Sequence, residues 1–116
     1  MVIGLNIIEE EKEDIVTLRV AGRIDATSSP ALEKKISELI QTGHKKILID
    51  FTKVDYLSSA GLRLMLSSTK KIKAQGGRLV FSGMSTGVME IIKMAGFERI
   101  LDIHSTEKDA WNVLKT

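Results

Sequence analysis

Residues 54–66 read "VDYLSSAGLRLML", with Ser58 and Ser59 just ahead of an apolar pattern of helical spacing. One hydroxyl at such a place has an ordinary use. A serine before a helix accepts a hydrogen bond from an otherwise unpaired N–H, worth about 1 kcal/mol. A cap needs only one of the two serines, and the other is open to two chemistries. As a nucleophile it requires a general base and an oxyanion-stabilising loop. The chain's histidines are His44 and His104, and "YLSSAG" lacks the first glycine of a G-x-S-x-G elbow. His44 falls at the far end of the sheet, while His104, two residues past Asp102, falls at a strand exit. No glycine-rich oxyanion loop accompanies either. As a phosphoacceptor the serine requires no base of its own. A phosphoserine carries about −1.5 to −2 charge at neutral pH, which the exposed amides and positive dipole end of a helix N-terminus favour. The fold would tolerate that modification. A partner burying this helix end would not, because an unpaired buried dianion is strongly disfavoured.

The elements that position these serines follow from periodicity. Alternation of Ile3, Leu5 and Ile7, and of Val16, Leu18 and Val20 against Thr17 and Arg19, predicts two half-buried strands joined by the acidic "EEEKED" as a solvated hairpin connection. "SSPALEKKISELIQTG" predicts an amphipathic helix with Ser29 as N-cap, the single proline Pro30 at the first helical position, Leu32, Ile36, Leu39 and Ile40 on one face, and Gly43 beyond the end. "KKILIDF" is a short continuous apolar run, as in a strand buried on both faces. Ser58 and Ser59 then open a helix carrying Leu62, Met65, Leu66, Thr69 and Ile72, with Lys70, Lys71 and Lys73 near its C-terminal end as a solvated face. "RLVFS" reads as a strand, "STGVMEIIKMAG" as a helix capped by Ser85, "RILDI" as a strand, and "STEKDAWNVL" as a helix with Thr106 and Asp109 in capping-box register. The predicted order is β-β-α-β-α-β-α-β-α: an α/β domain whose mixed, mostly parallel sheet starts with an antiparallel hairpin and carries about four helices. Met84, Met89 and Met94 recur every five residues, which is not one helical stripe; they are expected to fill the core, or where exposed to form an adaptable contact surface, and Trp111 is expected to pack on the sheet.

Composition narrows the function. At 116 residues the chain has room for one core, so residues 1–116 are expected to form a single domain. Apolar residues make up 43% and charged residues 28%, a globular balance. With 17 basic against 15 acidic residues there is no dominating positive field, which argues against nucleic acid and anionic lipid as partners. The lack of cysteine excludes disulfides, thiolate catalysis and Cys-based zinc sites. No signal-like leader and no run of 18 apolar residues occurs, so a cytoplasmic protein is the expectation, and the lack of a long unprotected apolar face makes a monomer the expectation.

Three stretches together carry a resemblance: "GRIDATSSPAL" (22–32), "KILIDFTKVDYLSSAGLRLML" (46–66) and "GGRLVFSGMSTGVMEIIKMAGFERIL" (76–101). Over nearly its whole length the chain resembles the bacterial anti-sigma factor antagonists (anti-anti-sigma factors) of the STAS domain family, whose small α/β fold has the same element order. In that family a D-S-[S/T]-G-L motif opens a helix. Here Ser58 falls on the acidic position, Ser59 on the phosphoacceptor, Ala60 on the second hydroxyl position and Gly61 on the glycine. The aspartate of a G-x-I-D segment falls on Asp25. The resemblance implies phosphorylation at Ser59 and partner contact through Asp25, Thr27, Ser58, Ala60, Gly61 and Arg63. Arg63 would project outward if Leu62 and Met65 face the core, where it meets either solvent or an acidic partner. The implied mechanism is partner switching: the unphosphorylated form binds an anti-sigma factor that is also a serine kinase, phosphorylation ends the complex, and a serine phosphatase restores it. The protein then supplies no catalytic group and no metal site, and ATP and Mg²⁺ belong to the kinase. The alternative is an unmodified STAS scaffold or sensory subunit of a transporter or signalling complex.

Overall fold

In the computed structural model, which describes residues 5–115, five strands lie in one sheet in chain order, β1 to β5. β1 (Leu5–Lys12) and β2 (Ile15–Ile24) are antiparallel, and β3 (Lys46–Leu57), β4 (Arg78–Ser82) and β5 (Ile103–His104) follow in parallel. Helices α1 (Ser29–Gln41), α2 (Ser59–Ala74) and α3 (Thr86–Met94) connect the parallel strands, and α4 (Glu107–Leu114) ends the chain. This is the predicted element order; Ile3, counted in the first strand, lies outside the described residues.

Two cores explain why the central strands are continuously apolar. On one face Val16, Ile47 and Leu79 lie in register and pack with Leu32, Ile36, Leu62, Met65, Val88 and Ile92 from α1–α3. On the other, Ile15, Leu48 and Val80 meet Ala110 and Leu114 of α4, with Trp111 half-buried beside them and the Lys12 ammonium 5.9 Å above its ring. Polar ties close the same face. Arg19 binds Glu10 at 3.1 Å, Asp50 at 2.9 Å and Glu107 at 2.7 Å, joining β1, β2, β3 and α4.

The structure corrects five expectations. Glu9–Lys12 belong to β1, and the hairpin turn is only Glu13–Asp14, both at positive φ (58° and 83°) as a two-residue hairpin turn demands. The N-cap of α1 is Ser28, not Ser29: Ser29 is helical and buried, because the preceding loop holds Ser28 in place. β3 runs six residues past Phe51, and β2 four past Val20. The expected strand 99–103 shrinks to Ile103–His104, since the amides of Ile100 and Leu101 turn back onto the Phe97 carbonyl. Of the methionines, Met84 packs against the core, but Met94 is 87% exposed at the end of α3. No described helix is long and apolar enough to cross a membrane.

Candidate functional site

The extensions of β2 and β3 build the site. β4 pairs with β3 only over Lys46–Asp50, so beyond that β3 has β2 as its only ladder partner among the described residues. Two register shifts, between Arg19 and Ala21 and between Gly22 and Arg23, let the pair stay bonded to the level of Ile24 and Leu57. Such irregularities bend and twist a strand, and they cluster next to functional positions. Asp25 and Ser58 leave the ribbon side by side, one strand spacing apart (about 4.8 Å between strands). The Ser58 amide donates to the Ile24 carbonyl at 2.9 Å, extending the ladder into the head of α2.

Gly61 allows this close approach. A Cβ there would stand 2.6 Å from Leu57 Cδ1 and 2.7 Å from Ile24 Cγ2, both on fully buried side chains. The absence of a side chain therefore seats the first turn of α2 directly on the β2–β3 end. It welds the Asp25 loop to the serine pair.

The two serines divide the work. Ser58 is the N-cap: its Oγ accepts the Gly61 N–H at 3.2 Å, and its backbone is extended (φ −89°, ψ 172°). Ser59, the first helical residue, is exposed, and its hydroxyl has no partner among the described residues. Ala60 is half-buried beside it and Arg63 exposed one turn on, while Leu62 and Met65 face the core.

Asp25 shapes the neighbouring loop. Its Oδ1 accepts the N–H groups of Thr27 and Ser28, both at 3.0 Å; the Ser28 hydroxyl accepts the Asp25 N–H at 3.0 Å and donates to the Arg23 carbonyl at 2.6 Å. Hydrogen bonding from Ser28, above all its backbone N–H, then the Thr27 amide and the Arg23 charge, hold the Asp25 carboxyl below the usual carboxylate range against partial desolvation. It is a fixed negative charge at neutral pH. Thr27 is exposed at the loop's crest. Asp25, Thr27, Ser58, Ser59 and Ala60 thus form one surface, with Arg63 at its margin; Gly61, expected as a contact residue, is instead buried beneath it, because it seats the helix on Ile24 and Leu57.

Sequence reasoning missed two members of the rim. Arg23 and Tyr56 are paired across β2 and β3, with the guanidinium 4.1 Å from the ring centroid and the ring 37% exposed. Each lies two residues before a site residue, but only the bulged register reveals that they touch.

The histidines stay away. Asp50, Ser82 and His104 lie level across β3, β4 and β5, so Ser58 is eight residues further along β3, on the order of 25 Å of strand. His104 Nε2 is bound to Asp102 Oδ1 at 2.7 Å, and His44 stands beside Glu11 (3.6 Å) at the opposite end of the sheet. No Ser–His pair is assembled here. Among the described residues no group of three or more His, Asp or Glu side chains is placed to hold a metal ion.

Comparison with known proteins places the fold. The STAS domain matches residues 6–110, and the chain belongs to that family. The anti-sigma-B factor antagonist of Listeria monocytogenes is 30% identical over 101 residues, covering 86% of this chain and 88% of its own. Among solved structures, an anti-sigma factor antagonist from Mycobacterium paratuberculosis superposes with a TM-score of 0.88 at 21% identity, over 97% of this chain and 96% of that one. The antagonist SpoIIAA in its unphosphorylated form gives 0.80 at 22% identity, covering 95% of this chain and 96% of that one. The phosphorylated form of SpoIIAA, from Bacillus, gives 0.71 at 22% identity, covering 92% and 97%.

Proposed function

We propose that this protein is an anti-sigma factor antagonist of the cytoplasm that works by partner switching. Unphosphorylated, it docks the Asp25–Ser58 surface on an anti-sigma factor that is also a serine kinase, and the sigma factor is released. The Ser59 hydroxyl then attacks the γ-phosphorus of ATP on the kinase. A new O–P bond forms, the bond to the leaving ADP breaks, and the hydroxyl proton passes to a base of the kinase. A serine phosphatase hydrolyses the phosphoester and returns the protein to the binding form.

The observation that carries this reading is the division of labour at the head of α2. Ser58 already caps the helix, and Ser59 is left exposed with no structural task. The Listeria relative is named as an anti-sigma-B factor antagonist, and SpoIIAA exists in unphosphorylated and phosphorylated forms. Both agree with the reading. The fold need not rearrange, since a dianion at Ser59 faces helix amides. The partner, which must bury that dianion, loses affinity: a penalty of about 3 kcal/mol is roughly two orders of magnitude in Kd.

The test is peptide mass spectrometry after incubation with the cognate kinase and Mg-ATP, beside Ser59→Ala. One phosphate on Ser59, missing from the control, is expected, together with loss of co-purification after modification. Unmodified, folded protein that still binds the kinase would defeat the phosphoswitch. Phosphate on Ser58 would move the switch by one residue and contradict the capping argument.

A further inference from the structure

We propose that Arg63 is the internal counter-ion of a phosphate on Ser59, so that one modification both adds a dianion and withdraws a cation from the docking surface. This inference rests on the reading of Ser59 as phosphoacceptor. Ser59 and Arg63 are four residues apart on α2, both exposed, and among the described residues neither side chain has a partner. Residues so spaced on a helix are neighbours, with Cβ atoms about 5–6 Å apart. Because Cα–Cβ bonds tilt toward the helix N-terminus, Arg63 leans back over Ser59 and not away from it. A guanidinium offers parallel N–H donors that match two phosphate oxygens.

The surroundings leave this pairing open. The first turn of α2 has no acidic residue, whereas that of α4 carries Glu107 and Asp109. Nothing on α2 itself therefore competes for Arg63 or already compensates the dipole. From the adjoining β2–α1 loop two charges face the same region: the ionised Asp25, which opposes a phosphate, and Arg23, which favours one but is stacked on Tyr56. Asp55 of β3, exposed three residues before Ser58, adds a further negative charge. Against these acids the cation four residues along the helix is the geometrically fixed one.

Docking and release are then opposite uses of the same arginine. In the unmodified protein Arg63 is free to meet an acidic group of the kinase. In the phosphorylated protein it is engaged within its own helix, and the partner acid is left facing a phosphate.

Phosphoserine placed at position 59 by genetic encoding allows a direct test without the kinase. ³¹P NMR titration would be compared in the wild-type background, Arg63→Gln and Arg63→Lys. A nearby cation stabilises the dianion, so the second phosphate pKa, ordinarily about 6, is expected about 0.2–0.4 pH unit higher in Arg63→Gln than in the wild-type background. Arg63→Lys should fall between, and added salt should narrow the difference. Superposable titrations of wild type and Arg63→Gln would overturn the proposal, and so would an unphosphorylated Arg63→Gln protein with lowered thermal stability, since a free surface arginine holds nothing. A kinase that leaves Ser59 unmodified would instead defeat the underlying reading, and this titration would not detect that.

Discussion

Replacing each serine in turn separates structure from function at the head of α2. Ser58→Ala removes the oxygen that accepts the Gly61 N–H at 3.2 Å while leaving the Ser58 amide on the Ile24 carbonyl. Loss of a serine cap costs about 1 kcal/mol. An unfolding entropy of roughly 2.1 cal/mol/K per residue over a chain of this length makes that a fall in Tm of about 4 °C. Ser59→Ala deletes an exposed hydroxyl that bonds to nothing among the described residues and substitutes a better helix former, so its stability should match wild type within about 0.5 kcal/mol. Calorimetry or urea unfolding of the two variants in one buffer gives the comparison. Equal losses, or a larger loss for Ser59→Ala, would mean that the hydroxyls share the cap and that Ser59 is not in surplus.

Further substitutions at Gly61 and Asp25 probe the frame around the serines, and one at Asp50 probes the remote part of the sheet. Gly61→Ala forces a methyl against Ile24, whose β-branched side chain has little rotamer freedom, and against Leu57; overpacking less the helix-propensity gain leaves a net loss of about 1–2 kcal/mol, read by denaturant midpoint. Asp25→Asn keeps an oxygen acceptor for the Thr27 and Ser28 amides but removes the charge, so affinity for the proposed kinase partner should fall while Tm holds, whereas Asp25→Ala should lower both. For Asp50, burial raises the carboxyl pKa, but hydrogen bonds from Thr52 and Arg19 outweigh it and leave the pKa below the ordinary value. Its contribution to stability is therefore complete above an unfolded-state pKa of about 3.9 and is lost as pH falls through the lower folded value. Asp50→Asn should flatten the acid limb of the stability curve, and an unchanged limb would contradict the assigned direction.

How far the sequence could be read depended on whether local signals met a competitor. The caps of α3 and α4 by Ser85 and Thr106 were legible because each hydroxyl bonds an amide three residues on, as the spacing predicts, whereas for α2 the sequence left Ser58 and Ser59 open and the structure gives the cap to Ser58. The start of α1 was not. Asp25 claims the loop amides and the Ser28 hydroxyl turns back to Arg23, so the ordinary Ser-Pro capping signal is displaced by one residue. The outer part of β3 was hidden for another reason. Val54 and Leu57 are buried while Thr52, Lys53, Asp55 and Tyr56 are exposed, a spacing of three that the shifted register imposes and that two-residue alternation does not detect. That missed length is what carries Ser58 out beside Asp25. The proximity of these two residues was implied only by family resemblance, and the Arg23–Tyr56 contact by nothing in the sequence.

Gly61 and Ile24 come from segments separated by the whole of α1 and the whole of β3, and their contact holds the two halves of the surface together. The surface proposed for docking is therefore conformational: a peptide spanning residues 54–66 contains both serines but neither Asp25 nor the backing of Ile24. A protein that reads the full surface reads only completed chains. Nascent, truncated or heat-damaged copies would be silent, and the pool of competent antagonist would follow the folded population and not the total amount synthesised.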